Sequence, residues 1–232
     1  MSINAIEEVN SPLKDKMILF LGSSVTYGYA SNGISFADFI TKRNGSMMIK
    51  EAVSGTTLVD EEDNSYIARL KRIDQNEKVD LLVCQLSTND ATKKKELGTV
   101  SSSKEIDSFD THTIEGAIEY IICYARNTWH CPIAFYTSPK YPSEAYASMV
   151  TLLYALKEKW NISIIDLWNN EAFNKIKEEE RKLYMADPIH PTRSGYLNWW
   201  TPQIEKEIIE IVENNEEKNS YQRRDTNGAL IC

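Results

Sequence analysis

Three side chains able to move a proton or hold negative charge stand far apart in this 232-residue chain: a serine near its start, an asparagine midway and a histidine near its end. The serine lies in Gly22-Ser23-Ser24-Val25-Thr26-Tyr27-Gly28, directly after the apolar run Met17-Ile18-Leu19-Phe20-Leu21. A hydroxyl on a strand-to-helix turn stands at a sheet edge with unpaired helix-start N–H groups beside it, a suitable place for a nucleophile. The same residues also make ordinary turn and N-cap chemistry, so this segment alone leaves both readings open. It lacks the last glycine of a G-x-S-x-G elbow, the lysine of a phosphate-binding loop and the three glycines of a dinucleotide fingerprint. No organic cofactor is expected there.

Three further segments carry compatible groups. In Val53-Ser54-Gly55-Thr56-Thr57 the glycine either shapes a turn or brings its N–H close to a bound oxyanion. In Gln85-Leu86-Ser87-Thr88-Asn89-Asp90 the Asn89 amide is either an oxyanion donor or part of a cap. Near the end comes Ala186-Asp187-Pro188-Ile189-His190-Pro191-Thr192. Of the three histidines, His112 and His130 have no partner nearby in sequence, whereas His190 is bracketed by prolines that restrict its backbone. Asp187 can accept from one ring nitrogen and fix the tautomer, leaving the other nitrogen to take a proton from a hydroxyl. A capping aspartate and a surface histidine are the alternative.

Chemistry at these places requires a scaffold, and the apolar pattern supplies one. Short apolar runs predict strands over 17–21, 47–53, 79–86, 132–136 and 162–167, alternating with helical spacing over 35–42, 65–73, 113–129 and 145–160. Trp199, Trp200, Ile204, Ile208 and Ile211 mark a closing helical region that Pro202 is expected to split or kink, with Thr201 as N-cap. Repeated strand–helix alternation predicts an α/β fold: a doubly wound, flavodoxin-like three-layer sandwich with a five-stranded parallel sheet. Ligands bind such sheets outside the carboxyl ends of the strands, where three of the segments above lie. The polar stretch 91–110 reads as a lid, a pocket wall or a mobile surface loop. The chain is expected to be a single domain with a core over about 16–213 and a loose polar tail over 214–232.

Composition narrows the partners. With 26 Lys and Arg against 34 Asp and Glu, the net charge of -8 disfavours nucleic acid. Cys84, Cys123, Cys131 and Cys232 show no metal-ligand spacing and are too sparse for a disulfide scaffold, which fits a reducing, cytoplasmic location. No signal peptide and no membrane span are expected, because the N-terminal residues lack an apolar stretch and no run approaches the roughly 20 residues a spanning helix needs. Oligomeric state leaves no mark in the sequence.

Taken in order, the four segments resemble the blocks of the SGNH/GDSL hydrolase family over about residues 17–200. The resemblance implies Ser24 as nucleophile, Gly55 and Asn89 as the glycine and asparagine of the middle blocks, and Asp187 with His190 as the D-x-x-H pair. It further implies a serine esterase that passes through an acyl-enzyme on a small-molecule ester. Its oxyanion hole is built from Ser24, Gly55 and Asn89, and no metal or cofactor takes part. Two positions depart from the family's usual pattern: Ser23 stands where Asp is usual, and Ser87 where Gly is usual. The first leaves Ser23 as a competing nucleophile. Tyr27, Tyr29, Tyr196 and Trp199, close to both ends of the site, point to a small acyl group such as acetyl on a carbohydrate, although core and helix packing is the better account of such aromatics. An acyltransferase, a lysophospholipase-like acylhydrolase and a non-catalytic binding module are the alternatives.

Overall fold

Residues 17–21 are apolar without interruption, so a strand built from them needs cover on both faces. The computed structural model describes residues 2–228 and provides that cover. Its strands are β1 (Met17–Gly22), β2 (Met47–Ala52), β3 (Leu81–Gln85), β4 (Ile133–Tyr136) and β5 (Ser163–Ile165). They form one all-parallel sheet in the order β2-β1-β3-β4-β5. The direction of strand addition reverses between β1 and β3, and there the crossovers leave a crevice at the carboxyl edge.

The principal helices are α1 (Ser24–Tyr27), α2 (Phe36–Asn44), α3 (Tyr66–Leu70), α4 (Thr88–Thr92), α5 (Ile114–Trp129) and α6 (Glu144–Trp160). Short helices α7 (Glu171–Asn174), α8 (Glu178–Tyr184) and α9 (Arg193–Gly195) precede a π-helical turn, Tyr196–Trp200, which runs into α10 (Thr201–Gly228). Successive strand residues point to opposite faces, so the core divides in two. Leu19, Leu21, Leu82, Cys84 and Phe135 pack under α3, α5 and α6, whereas Ile18, Phe20, Leu81, Val83 and Tyr136 pack under α2 and α10. Local signals agree with these elements. Ser35 and Asp38 close a capping box on α2, and the Thr113 and Ser143 side chains cap α5 and α6.

Several expectations are corrected. The closing helix is not split at Pro202. Thr201 is helical (φ -56, ψ -48) and caps nothing, because its N–H bonds Tyr196 O five residues back. That widened turn accommodates the proline ring without a break. The segment from Glu213 continues α10 instead of forming a loose tail, while residues 229–232, and Cys232 with them, lie outside the described residues. β5 is shorter than expected because Asp166 turns the chain, accepting from Asn169 N–H at 3.0 Å and Thr137 Oγ1 at 3.1 Å. Residues 91–110 do not hang free. Ile106 and Phe109 pack into the α5–α6 side of the core, and Ile114 and Glu115 N–H bond Glu96 and Leu97 carbonyls at 2.9 Å.

Candidate active site

Ser24 opens α1 immediately beyond β1, and its position is set by buried hydrogen bonds. Gln85 ends β3, the strand beside β1, and its Oε1 accepts from Ser23 N–H and Thr26 Oγ1, each at 2.9 Å. Thr26 spends its only hydroxyl proton on Gln85, so Tyr136 Oη donates to Thr26 Oγ1 at 2.6 Å. From the other side Tyr196 Oη donates to the Val25 carbonyl at 2.7 Å. Gly22 is obligatory, because a Cβ there would lie 1.8 Å from Thr26 Oγ1. Of the two adjacent serines, Ser23 is fully buried and its hydroxyl turns inward to Gln85 at 3.3 Å. Ser24 keeps 6% exposure and directs Oγ to His190 Nε2 at 2.8 Å.

The histidine is carried by a turn that folds on itself. Ala186 N–H bonds the His190 carbonyl at 2.9 Å, and Met185 pairs with Pro191 in an isolated antiparallel bridge. Inside this turn the two Asp187 oxygens divide their work. Oδ1 accepts the N–H groups of Ile189 and His190, both at 2.8 Å, and Oδ2 lies 2.7 Å from His190 Nδ1. Desolvation works to raise the Asp187 carboxyl, but the His190 ring and the two N–H donors outweigh it and hold it below the usual value. An ionised Asp187 fixes the proton on Nδ1, which leaves the Nε2 lone pair facing Ser24. Arg193 ties this end of the chain to the serine end, its Nη2 donating to the Ser31 carbonyl at 2.7 Å.

The remaining two segments meet beside the serine turn. Gly55 adopts φ +82, the left-handed region that favours glycine, and it is exposed, with nothing within 4 Å of where a Cβ would stand. Among the described residues neither Gly55 N–H nor Ser24 N–H donates to a protein acceptor. Asn89 Nδ2 donates to the Thr56 carbonyl at 2.9 Å, so one amide proton locks the side chain and the other is free. Asp90 is fully buried and holds the glycine loop in place, accepting from Leu58 N–H at 2.9 Å and Val59 N–H at 3.2 Å. Burial pushes its carboxyl up, against bonds from Ser87 and those two N–H groups. Ser87, at the position where the family usually has glycine, caps α4.

The aromatic residues divide into two groups. Tyr196 is fully buried, and Trp199 stacks on Phe173 at 4.6 Å, so both belong to the scaffold. Tyr27 and Tyr29 are exposed, and the Tyr29 ring, 62% exposed, lies 5.2 Å from the His190 ring. Sequence reasoning passed over Gln85, Asp90, Tyr136 and Arg193. Gln85 alone left a signal, since a polar side chain in a strand buried on both faces must find a partner. No cluster of three potential metal ligands occurs among the described residues.

A parallel sheet with polar groups gathered at the β1–β3 switch defines an α/β protein whose candidate site lies at the carboxyl edge of the sheet. Within that class the chain belongs to the GDSL-like lipase/acylhydrolase family, whose family model matches residues 20–197. Among curated proteins no sequence match is found. Solved structures share the fold. A Lactobacillus plantarum protein aligns with TM-score 0.68 at 15% identity, covering 87% of this chain and 98% of its own. A candidate GDSL-like lipase from Bacteroides ovatus aligns with TM-score 0.61 at 18% identity, covering 84% and 98%. An acetyl xylan esterase aligns with TM-score 0.59 at 13% identity, covering 83% and 100%. No helix among the described residues is long and apolar enough to cross a membrane.

Proposed function

We propose that this family member is a serine esterase in which Ser24 is the nucleophile, His190 its general base and Asp187 the group that orients the imidazole. The observation that carries the reading is the continuous line Ser24 Oγ to His190 Nε2 at 2.8 Å and His190 Nδ1 to Asp187 Oδ2 at 2.7 Å. Ser24 Oγ attacks an ester carbonyl while its proton passes to His190 Nε2. The carbonyl oxygen becomes an oxyanion held by the N–H groups of Ser24 and Gly55 and by the free Asn89 amide proton. The ester C–O bond breaks, and the departing alcohol takes the proton from Nε2. Water then loses a proton to His190 Nε2 and attacks the acyl carbon; as the bond from that carbon to Ser24 Oγ breaks, the proton passes from Nε2 to Ser24 Oγ and the carboxylic acid leaves.

For the substrate, we read a small acyl group on a carbohydrate alcohol. His190 must stand beside the departing oxygen, and the exposed ring next to it is Tyr29. A flat exposed ring suits the apolar face of a sugar, and the acetyl xylan esterase among the fold neighbours acts on esters of that kind. The test is hydrolysis of p-nitrophenyl esters from acetyl to long acyl by wild type and Ser24→Ala, with fluorophosphonate labelling and peptide mapping. We expect activity on short acyl chains, none in Ser24→Ala, and the label on Ser24, not Ser23. Equal activity in Ser24→Ala, or a label on Ser23, overturns the assignment. Rates that rise with chain length overturn the small-acyl reading alone.

A further inference from the structure

Arg69, on α3, is 3% exposed, yet it forms no ion pair with a carboxylate among the described residues. Its guanidinium spends its donors on neutral oxygens at the sheet edge. Nε donates to the Asn64 carbonyl at 3.0 Å, Nη1 to the Glu51 carbonyl, and Nη2 to both the Gly22 carbonyl at 2.8 Å and Thr56 Oγ1 at 3.2 Å. The ring of fully buried Tyr66 lies 5.2 Å from the guanidinium carbon. Taking a cation out of water with no anion to meet it is unfavourable, and apolar packing would stabilise a purely structural joint more simply. The nearest structural feature that benefits is the pair of turns the guanidinium spans. Gly22 stands two residues before Ser24. Thr56 follows Gly55, and its carbonyl receives the Asn89 amide at 2.9 Å. The backbone tie across the same gap, Val53 N–H to the Gly22 carbonyl, is long at 3.3 Å.

We propose that Arg69 is the positioning residue of the oxyanion site: its planar guanidinium, bonded at once to Gly22 and Thr56, sets the spacing between the serine turn and the glycine turn. The N–H groups of Ser24 and Gly55 and the Asn89 amide thereby converge on one oxygen. The inference rests on the serine esterase reading above and adds to it a residue that touches no substrate. Lysine cannot substitute, because a single ammonium on a flexible stem lacks the rigid fork that reaches several acceptors in one plane. The role is felt where negative charge develops, not where neutral substrate binds.

The test compares wild type, Arg69→Lys, Arg69→Met and Thr56→Val by kcat and KM on p-nitrophenyl acetate, inhibition by phenylboronic acid, and Tm. Phenylboronic acid mimics the charged intermediate: its boron bonds Ser24 Oγ and becomes tetrahedral and anionic as the serine proton passes to His190. Both Arg69 variants should lose about tenfold to a hundredfold in kcat, as small misplacements of catalytic groups do, with KM within about twofold. The boronate inhibition constant should weaken by the same factor. Thr56→Val, which removes one limb of the bridge, should show a smaller loss of the same kind, and its effect should shrink in the Arg69→Lys background. Folded Arg69 variants with kcat and boronate inhibition within about twofold of wild type overturn the proposal, as does a loss confined to KM. If the Arg69 variants do not fold, an unchanged Thr56→Val overturns it. A wild type inert toward every ester and unlabelled by fluorophosphonate ends the esterase reading and this inference together. An active wild type with indifferent variants ends this inference alone.

Discussion

Asparagine at position 187 should harm catalysis more than alanine, because the two carboxylate oxygens are committed to different partners. Oδ1 serves Ile189 and His190 N–H at 2.8 Å, and Oδ2 serves His190 Nδ1 at 2.7 Å. In Asp187→Asn the amide oxygen must stay with the two backbone donors, since an NH₂ group there would leave both unpaired. The amide nitrogen then faces His190 Nδ1. Two donors cannot meet, so the ring presents a lone pair at Nδ1 and carries its proton on Nε2. That proton points at Ser24 Oγ, and the base is lost. A locked wrong tautomer of this kind costs about 10⁴ in kcat.

Alanine removes the acceptor without imposing the wrong tautomer. The Asp187 side chain is 45% exposed, so water can take its place against Nδ1. The expected loss is then about 10²–10³, near that for losing one oriented general-base contact. The difference between the variants, about tenfold to a hundredfold, corresponds to about 1.4–2.7 kcal/mol in the barrier. Stability should run in the opposite order, because alanine frees both turn N–H groups and asparagine keeps them. The assay is kcat on p-nitrophenyl acetate at neutral pH together with Tm for both variants. An asparagine variant as active as the alanine variant, or more active, refutes the division of labour between the two oxygens.

Other substitutions probe the rest of the site and its support. Asn89→Ala should lower kcat by about 10²–10³ with little change in KM, and a loss seen mainly in KM would contradict an oxyanion role. Gln85→Leu leaves Ser23 N–H without its buried acceptor and should cost about 1–3 kcal/mol, read as a lowered Tm or denaturation midpoint; wild-type stability would refute it. Tyr29→Ala should raise KM for acetylated sugars by about twofold to tenfold while leaving methyl acetate unaffected, and equal effects on both would count against stacking. At Glu119, fully buried on α5, desolvation lifts the carboxyl to about 7 from its ordinary 4.5 despite Lys159 Nζ at 2.8 Å. A raised folded value adds stability below pH 4.5 that is lost as pH rises through about 7, so wild-type Tm should fall across that window more than that of Glu119→Gln. Parallel Tm profiles would refute it.

The fold was legible because its signals are local and repeated. Short apolar runs bounded by turn residues read as strands covered on both faces, and helical spacing between them implies crossovers. The five candidate residues were legible as types, Ser24, Gly55 and Asn89 just beyond strands and Asp187 with His190 in a proline-bracketed turn, and the structure brings Ser24, Asp187 and His190 into one line. What stayed hidden depends on three-dimensional neighbours. Nothing in the sequence says that Gln85 reaches sideways to the serine turn, 62 residues away, or that Arg69 bends back to Gly22. Pro202 reads as a breaker because it lacks a donor, whereas a π turn just before it supplies the extra room. Residues 91–110 looked loose by composition, yet a few apolar side chains, Ile106 and Phe109 among them, anchor the stretch.

The serine and the histidine are 166 residues apart, so their contact depends on the last crossover closing correctly. The sheet alone does not enforce it, because β5 ends before the chain reaches His190. Closure comes from the segment just after the histidine. Arg193 bonds Ser31 beyond the serine turn, Tyr196 bonds Val25 within it, and Trp200 stacks on Phe36 at 6.3 Å under the same sheet face. Tyr196 and Trp200, four residues apart, share one helical face, and both are buried on the α2–α10 side of the sheet. One short segment therefore grips the helix that carries Ser24 and the core beneath it together.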